Sequence, residues 1–325
     1  MNKNFLVLTE ASKKIGYGHL SRCIFLSQKL KTKNNITFIS KLNIKNYLPK
    51  NFNFLELKNL SKNNKFDNLI IDLKFIDKKY LRLIKDLNIK NKILIYYQKN
   101  IKLNPKLTII PYVLKPPYPD QKKVIFGKDA LFFSQKLLKI AKKKKNFKQT
   151  KNFKITICFG GSDPKDYTFK IIQTLTSFKF SNFFFNVIIG NLYDKKNEIK
   201  LNKKIKNFKN FKVFRNPKNI YKILNKSDFA IINSGNIKYE LAALGVPFFL
   251  IANDKKSKIF CKFFSNEFKF FFNKNFNFPK KVYLYSLLND IFKKNKTLIN
   301  FAKFNKKKID LNSIDNVVKR INNIV

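Results

Sequence analysis

The sequence predicts an α/β protein made of two doubly wound modules in tandem. Three observations carry that reading. Short apolar runs of strand length alternate with segments of helical spacing. The alternation starts afresh after a lysine-rich stretch over residues 142–151. Each half opens with a strand that runs into a glycine-bearing turn and then a helix, the arrangement of βαβ units and a parallel sheet.

In the first half, residues 5–8 form a short apolar run ending in Thr9, as a strand buried on both faces requires. Ile24, Phe25 and Leu30 lie near helical spacing, so residues 21–30 are expected to be a helix. Strands are expected over 35–40, 69–73 and 93–97, with a helix over 78–87. Residues 104–120 contain Pro105, Pro111, Pro116, Pro117 and Pro119, and are expected to be irregular. A helix resumes over 134–141 and dissolves into the polar segment 142–151, expected to link the modules. In the second half, strands are expected over 154–159, 184–189, 211–214, 229–232 and 248–251. Helices are expected over 167–175 and over 237–244, the latter closed by Gly245 at its C′ position. The expected domains are therefore 1–145 and 146–325, with the last helix able to pack back on the first. Ligands of such sheets bind at the carboxyl ends of the strands, here expected in a cleft between the modules.

Composition bounds the function. A chain of 325 residues, 44% hydrophobic, can bury two cores. No run of 18 apolar residues occurs, and the four-residue apolar stretch near the start is too short for a signal-peptide core, so no stable membrane insertion is expected. Cys23, Cys158 and Cys261 are odd in number and widely spaced, which reads as a reduced, cytoplasmic protein without disulfides or a zinc site. The formal charge is +50, yet arginine occurs only at Arg22, Arg82, Arg215 and Arg320. Lysine, asparagine, isoleucine, phenylalanine and tyrosine all have A/T-rich codons, so the charge reads as compositional drift. Nucleic-acid readers use arginine for bidentate contacts, and no nucleic-acid partner is assigned. A positive field still helps to gather a doubly charged nucleotide sugar.

Three motifs carry chemistry. The first is Ile15-Gly16-Tyr17-Gly18-His19-Leu20-Ser21-Arg22-Cys23, between the first strand and the first helix. Gly16 and Gly18 offer backbone freedom and close approach, and the helix start offers N–H groups to a phosphate. His19 is the only histidine of the chain. Arg22 lies one turn on and suits an anion or a carboxylate, while Cys23 reads as a packing residue. The second motif, Cys158-Phe159-Gly160-Gly161-Ser162-Asp163-Pro164, is again a strand-to-helix turn. Its glycines leave backbone N–H groups open to a pyrophosphate, and Asp163-Pro164 is the expected helix start. In the third, Ser234 and Gly235 are expected to cap the helix that carries Glu240 in its first turns. That glutamate either accepts the hydroxyls of a ribose or complements the helix dipole.

Together, in order and spacing, these motifs resemble the UDP-sugar hydrolases of pseudaminic acid biosynthesis, relatives of the spore-coat polysaccharide proteins and of the lipid-II-forming N-acetylglucosaminyltransferases. The resemblance runs almost the full length and includes the strand ending in Asp72 and residues 127–136. It implies a GT-B architecture, with two Rossmann-like domains and UDP mainly on the second. Gly160, Gly161 and Ser162 would lie near the diphosphate, with Asp163 in the same turn. Ser234 and Gly235 are likewise expected to bind substrate, and Glu240 would hold the ribose. His19 matches the catalytic histidine, which deprotonates a water that attacks the anomeric carbon with inversion. Gly16, Tyr17, Gly18, Arg22, Asp72 and Lys74 are expected to bind substrate, with the Lys74 position near the sugar. The resemblance implies no metal and no cofactor.

Departures fall on the sugar side. Lys74 stands where the family usually has a tyrosine, and Tyr96-Tyr97-Gln98 replaces Ile-Asp-Asp. Asn253-Asp254-Lys255 replaces an Asn-Gln pair, and Thr9-Glu10-Ala11-Ser12 replaces Arg-Ala-Asp. The leading expectation is hydrolysis of a UDP-linked, di-N-acetylated trideoxy sugar, feeding nonulosonic acid synthesis for surface glycans such as glycosylated flagellin. The alternative is a GT-B glycosyltransferase that uses a UDP-sugar donor for surface polysaccharide. A third class, a polyanion-binding protein, leaves the ordered motifs unexplained. No oligomeric state follows from the sequence.

Overall fold

A computed structural model describes residues 2–61, 64–95, 103–113, 122–143, 152–180, 182–293 and 295–325. The chain forms two compact units, Met1–Phe133 with Asn312–Val325, and Ser134–Leu311.

Unit 1 begins β1 (Lys3–Thr9), α1 (Gly18–Leu30), β2 (Asn34–Ser40), β3 (Asn53–Glu56) and β4 (Asn68–Asp72). It continues α2 (Lys78–Asp86), β5 (Asn91–Ile95), β6 (Leu107–Ile110) and β7 (Val124–Phe126). All pairings are parallel, in the order β3-β2-β1-β4-β5-β6-β7. Successive residues of the strands serve opposite faces. Phe5, Val7 and Ile70 join a core with α1, whereas Leu6, Leu8, Leu69 and Ile71 join a second core with Tyr80 and Ile84 of α2. This two-sided burial is why the strands read as unbroken apolar runs.

Residues 104–120 were expected to be irregular, but β6 lies within them and pairs on both sides. Proline lacks a ladder N–H, and this strand fits between Pro105 and Pro111, so no proline interrupts it. Pro116, Pro117 and Pro119 lie outside the described residues, as do Tyr96-Tyr97-Gln98 and most of the segment 142–151.

Unit 2 runs α3 (Gln135–Ala141), β8 (Phe153–Cys158), α4 (Tyr167–Leu175), β9 (Phe183–Ile189), α5 (Lys195–Ile205) and β10 (Phe211–Arg215). Then follow α6 (Ile220–Asn225), β11 (Phe229–Asn233), α7 (Ile237–Leu244), β12 (Phe248–Ile251), α8 (Lys255–Glu267), α9 (Lys281–Lys293) and α10 (Asn295–Lys308). Its sheet is parallel, in the order β10-β9-β8-β11-β12. Gly245 closes α7 in the left-handed conformation, as expected. The chain then returns to unit 1 as α11 (Ser313–Asn322), whose Ile314, Val317 and Ile321 enter the core beside α1. Ser313 Oγ donates to the Leu131 carbonyl at 2.9 Å.

In each unit the third crossover reverses direction, so that the strand order turns between β1 and β4 and between β8 and β11. Such a reversal opens a crevice at the carboxyl ends of the two strands, the usual ligand position in open α/β sheets. The first and third motifs, and the turn after β8, all fall at these two places. Among the described residues no helix is long and apolar enough to cross a membrane.

Candidate active site

In unit 1, β1 delivers the chain into a tight loop. Gly16 sits at φ +87, a conformation that favours glycine, and its N–H donates to the Ser12 carbonyl at 2.7 Å. Gly18 is different: it is helical, and a Cβ added there would meet nothing within 4 Å. Tyr17 is the N-cap residue, and its hydroxyl donates to the Tyr47 carbonyl at 3.1 Å, away from the helix start.

His19, Arg22 and Cys23 stand three and four residues apart, hence on one face of α1. All three reach Asp72, the last residue of β4, which is fully buried. His19 Nδ1 lies 2.7 Å from Asp72 Oδ1. Arg22 grips the same carboxylate at both ends, Nε to Oδ2 at 2.5 Å and Nη2 to Oδ1 at 2.7 Å. Cys23 Sγ donates weakly to Oδ2 at 3.6 Å. A buried carboxylate without partners is very costly, and the guanidinium fork offsets that penalty. Burial alone would raise the Asp72 pKa, but Arg22 and His19 bring it below the ordinary carboxylate value. Burial lowers His19, Asp72 pulls it upward, and Arg22 and Lys74 oppose its protonation; the net direction is down. The imidazole is therefore neutral at neutral pH and able to accept a proton.

A second cluster on the same carboxyl edge is Glu10, just after β1, which accepts the hydroxyl of buried Tyr80. Lys41, just after β2, stands 3.6 Å above the Tyr80 ring and 3.3 Å from Asp77 Oδ2. No motif in the sequence marks Tyr80, Lys41 or Asp77, and Glu10 stands out only as part of the unusual loop start.

In unit 2, the turn after β8 is built around Asn233, the last residue of β11. Its Nδ2 donates to the Phe159 carbonyl at 2.6 Å, and its Oδ1 accepts from the Gly235 N–H at 3.2 Å. Gly160 takes φ +88 beside that amide. Gly190 abuts the turn so closely that a Cβ would lie 2.4 Å from Gly161 Cα. Asp163-Pro164 does not begin the helix. The chain makes one further turn, and Asp163 reaches forward to accept from the Tyr167 and Thr168 N–H groups at 3.0 and 2.7 Å. The α4 N-terminus is thus already held by a carboxylate, whose pKa burial raises and those N–H groups pull down.

Ser234 and Gly235 do not cap α7 either. The N-cap residue is Asn236, no side chain caps it, and the buried Lys238 Nζ instead donates to the Ser234 and Gly235 carbonyls at 2.8 and 3.2 Å. Burial lowers Lys238 to about 8, against a smaller upward pull from Cys261. Glu240 accepts from the Tyr221 hydroxyl at 3.2 Å, and burial pushes its carboxyl up to about 7 despite that bond. Asp254 caps α8 in a capping box with Ser257. Among the described residues no group of three His, Cys, Asp or Glu side chains is placed to hold a metal ion.

No protein-family model matches the chain. It is 27% identical over 264 residues to the uncharacterized protein MJ1062 of Methanocaldococcus jannaschii, covering 74% of this chain and spanning about half (54%) of that relative. Among solved structures it resembles MurG of Acinetobacter baumannii, with a TM-score of 0.65, 11% identity and 99% of each chain covered. It also resembles a UDP-glucosyltransferase of Polygonum tinctorium, at TM-score 0.63, 10% identity and 99% of each chain. The architecture is GT-B.

Of the expected site residues, this GT-B chain brings His19, Arg22 and Asp72 into one hydrogen-bonded group in unit 1, with Lys74 close enough to act on His19. In unit 2 it brings Gly160 and Gly235 to the Asn233 side chain, with Ser234 between Asn233 and Gly235 in the chain and Gly161 and Ser162 next in the turn. Tyr17 and Asp163 are engaged with their own units. Asn233, Gly190 and Lys238 were not foreseen as site residues. A polar side chain ending an apolar strand was the available signal for Asn233; a glycine after β9 was the one for Gly190.

Proposed function

We propose that this chain is a GT-B enzyme that cleaves the bond between a sugar and the diphosphate of a UDP-sugar and transfers the sugar to an acceptor hydroxyl. The observation that carries the reading is His19, the single histidine, hydrogen-bonded to a buried carboxylate at the reversal point of its sheet and kept neutral by its own burial, with Arg22 and Lys74 opposing protonation. In the proposed step the acceptor oxygen bonds to the anomeric carbon, and the bond from that carbon to the phosphate oxygen breaks. UDP leaves with the electron pair, and His19 takes the acceptor's proton. The nucleotide is assigned to unit 2. Because Asp163 holds the α4 terminus, the diphosphate is assigned to the Gly160–Gly161 turn and the uncapped start of α7, with Glu240 on the ribose. The likeness to MurG and to a UDP-glucosyltransferase favours transfer. Three buried free cysteines suit a reducing cytoplasm.

Hydrolysis is the second reading, favoured by the Ile15–Cys23 loop and the ordered motifs that resemble the UDP-sugar hydrolases; water then replaces the acceptor. The deciding assay is UDP release from UDP-N-acetylglucosamine and from the UDP-linked trideoxy altrose, with and without acceptor sugars. Release only with an acceptor indicates transfer, and release in buffer alone indicates hydrolysis. His19→Ala should lower either rate on the order of 100- to 10,000-fold. Equal rates in the native protein and the variant would remove His19 from the chemistry.

A further inference from the structure

The three polar groups around Asp72 do not have equivalent protons. Asp72 Oδ1, His19 Nδ1 and Arg22 Nη2 form a triangle with sides of 2.7, 2.7 and 2.9 Å. An ionised carboxylate only accepts, and a guanidinium only donates. If Nδ1 carried no proton, two acceptors would face each other at 2.7 Å. With the proton on Nδ1, Oδ1 accepts from both neighbours, the 2.9 Å from Arg22 Nη2 to Nδ1 separates two donors that share this one acceptor rather than a hydrogen-bonded pair, and the lone pair of the ring belongs to Nε2. The sequence leaves Arg22 suited to an anion or to a carboxylate; in the structure it is buried, and two of its nitrogens bond the Asp72 carboxylate.

We propose that Arg22 and Asp72 are positioning residues: they hold His19 as the neutral Nδ1–H tautomer and present Nε2 as its proton acceptor. This rests on the reading of His19 as the general base. Asp72 orients the ring. By itself it would also draw a second proton onto the imidazole and convert the base into an imidazolium. Arg22 balances that charge while bracing the carboxylate in a planar, bidentate grip. The charged and titratable groups facing His19 are Asp72 from β4, Arg22 and Cys23 from α1, and Lys74 from the loop after β4. Two of them are cations that disfavour imidazolium.

The single histidine makes the test direct. In protein labelled with 15N-histidine, long-range proton–nitrogen spectra between about pH 5 and pH 8 report the tautomer and titration of His19 without any substrate. The expected native result is a protonated Nδ1 and an unprotonated Nε2. A proton on Nε2, or an even mixture, overturns the proposal. In Arg22→Gln the His19 titration should move to higher pH, and the acid limb of kcat/KM should move with it while KM for the UDP-sugar stays the same. An unmoved His19 titration, or a raised KM with the acid limb in place, makes Arg22 a substrate ligand and overturns the proposal. Arg22→Lys keeps the charge without the fork. It should titrate near the native pH but lose the single tautomer, and retention of that tautomer counts against the bidentate grip. Should Arg22→Gln not fold, the native spectrum and the lysine variant decide. If no UDP-sugar is turned over, the spectra still stand, so failure of the functional reading is distinguishable from failure of this one.

Discussion

Glu240 has an ordinary pKa of 4.5 that burial raises to about 7, which gives unit 2 a pH signature. The folded state then binds the proton more tightly than the unfolded chain. Its stability contribution is present below 4.5 and is lost as pH rises through about 7, amounting to about 3 kcal/mol. Ribose hydroxyls donate best to the ionised form, so UDP affinity should rise as pH passes through about 7. Calorimetric titration of the native protein and Glu240→Gln should show this rise only in the native protein, since the titration of the phosphate is common to both. Identical profiles would place the ribose elsewhere. At this scale the sequence displayed His19 plainly, because a lone histidine in a glycine loop stands out. It did not reveal that Asp163 caps α4 or that Lys238 holds the Ser234 and Gly235 carbonyls. Both side chains have several partners within reach locally, and only the packed geometry selects among them.

Among the elements, the two glycine turns differ in what they tolerate. Gly190 packs against the Gly161 backbone, so Gly190→Ala should overpack the turn and cost about 1–3 kcal/mol. It should also weaken UDP binding by displacing the turn around Asn233. Gly18 faces open space within its own unit, so Gly18→Ala should leave stability nearly unchanged. Urea unfolding of both variants measures the contrast, and equal losses would refute it. Strand-to-helix junctions were readable from apolar runs interrupted by glycine. The short edge strands β3 and β7, and helices α5, α8 and α10, were not. Strands of three or four residues carry little periodicity, and in lysine- and asparagine-rich helices a few apolar anchors such as Leu201 and Ile205 do the packing.

For the whole molecule, α11 ties the end of the chain to the unit that holds its beginning. Ile314 is almost fully buried in the unit 1 core, so Ile314→Ala should destabilise that unit by about 2–5 kcal/mol. Calorimetry should show a lowered unit 1 transition with the unit 2 transition in place; a shift of the unit 2 transition alone would contradict the division. The sequence by itself determined the two α/β modules, the glycine turns at the two sheet reversals and a unique histidine, because local periodicity and turn chemistry act over a few residues. The tertiary structure decided which side chains meet: His19 with Asp72 across 53 residues, Gly190 against Gly161, Ser313 against Leu131 across 182 residues. Parallel crossovers set these meetings by bringing the carboxyl ends of distant strands together, and no local pattern encodes such distances.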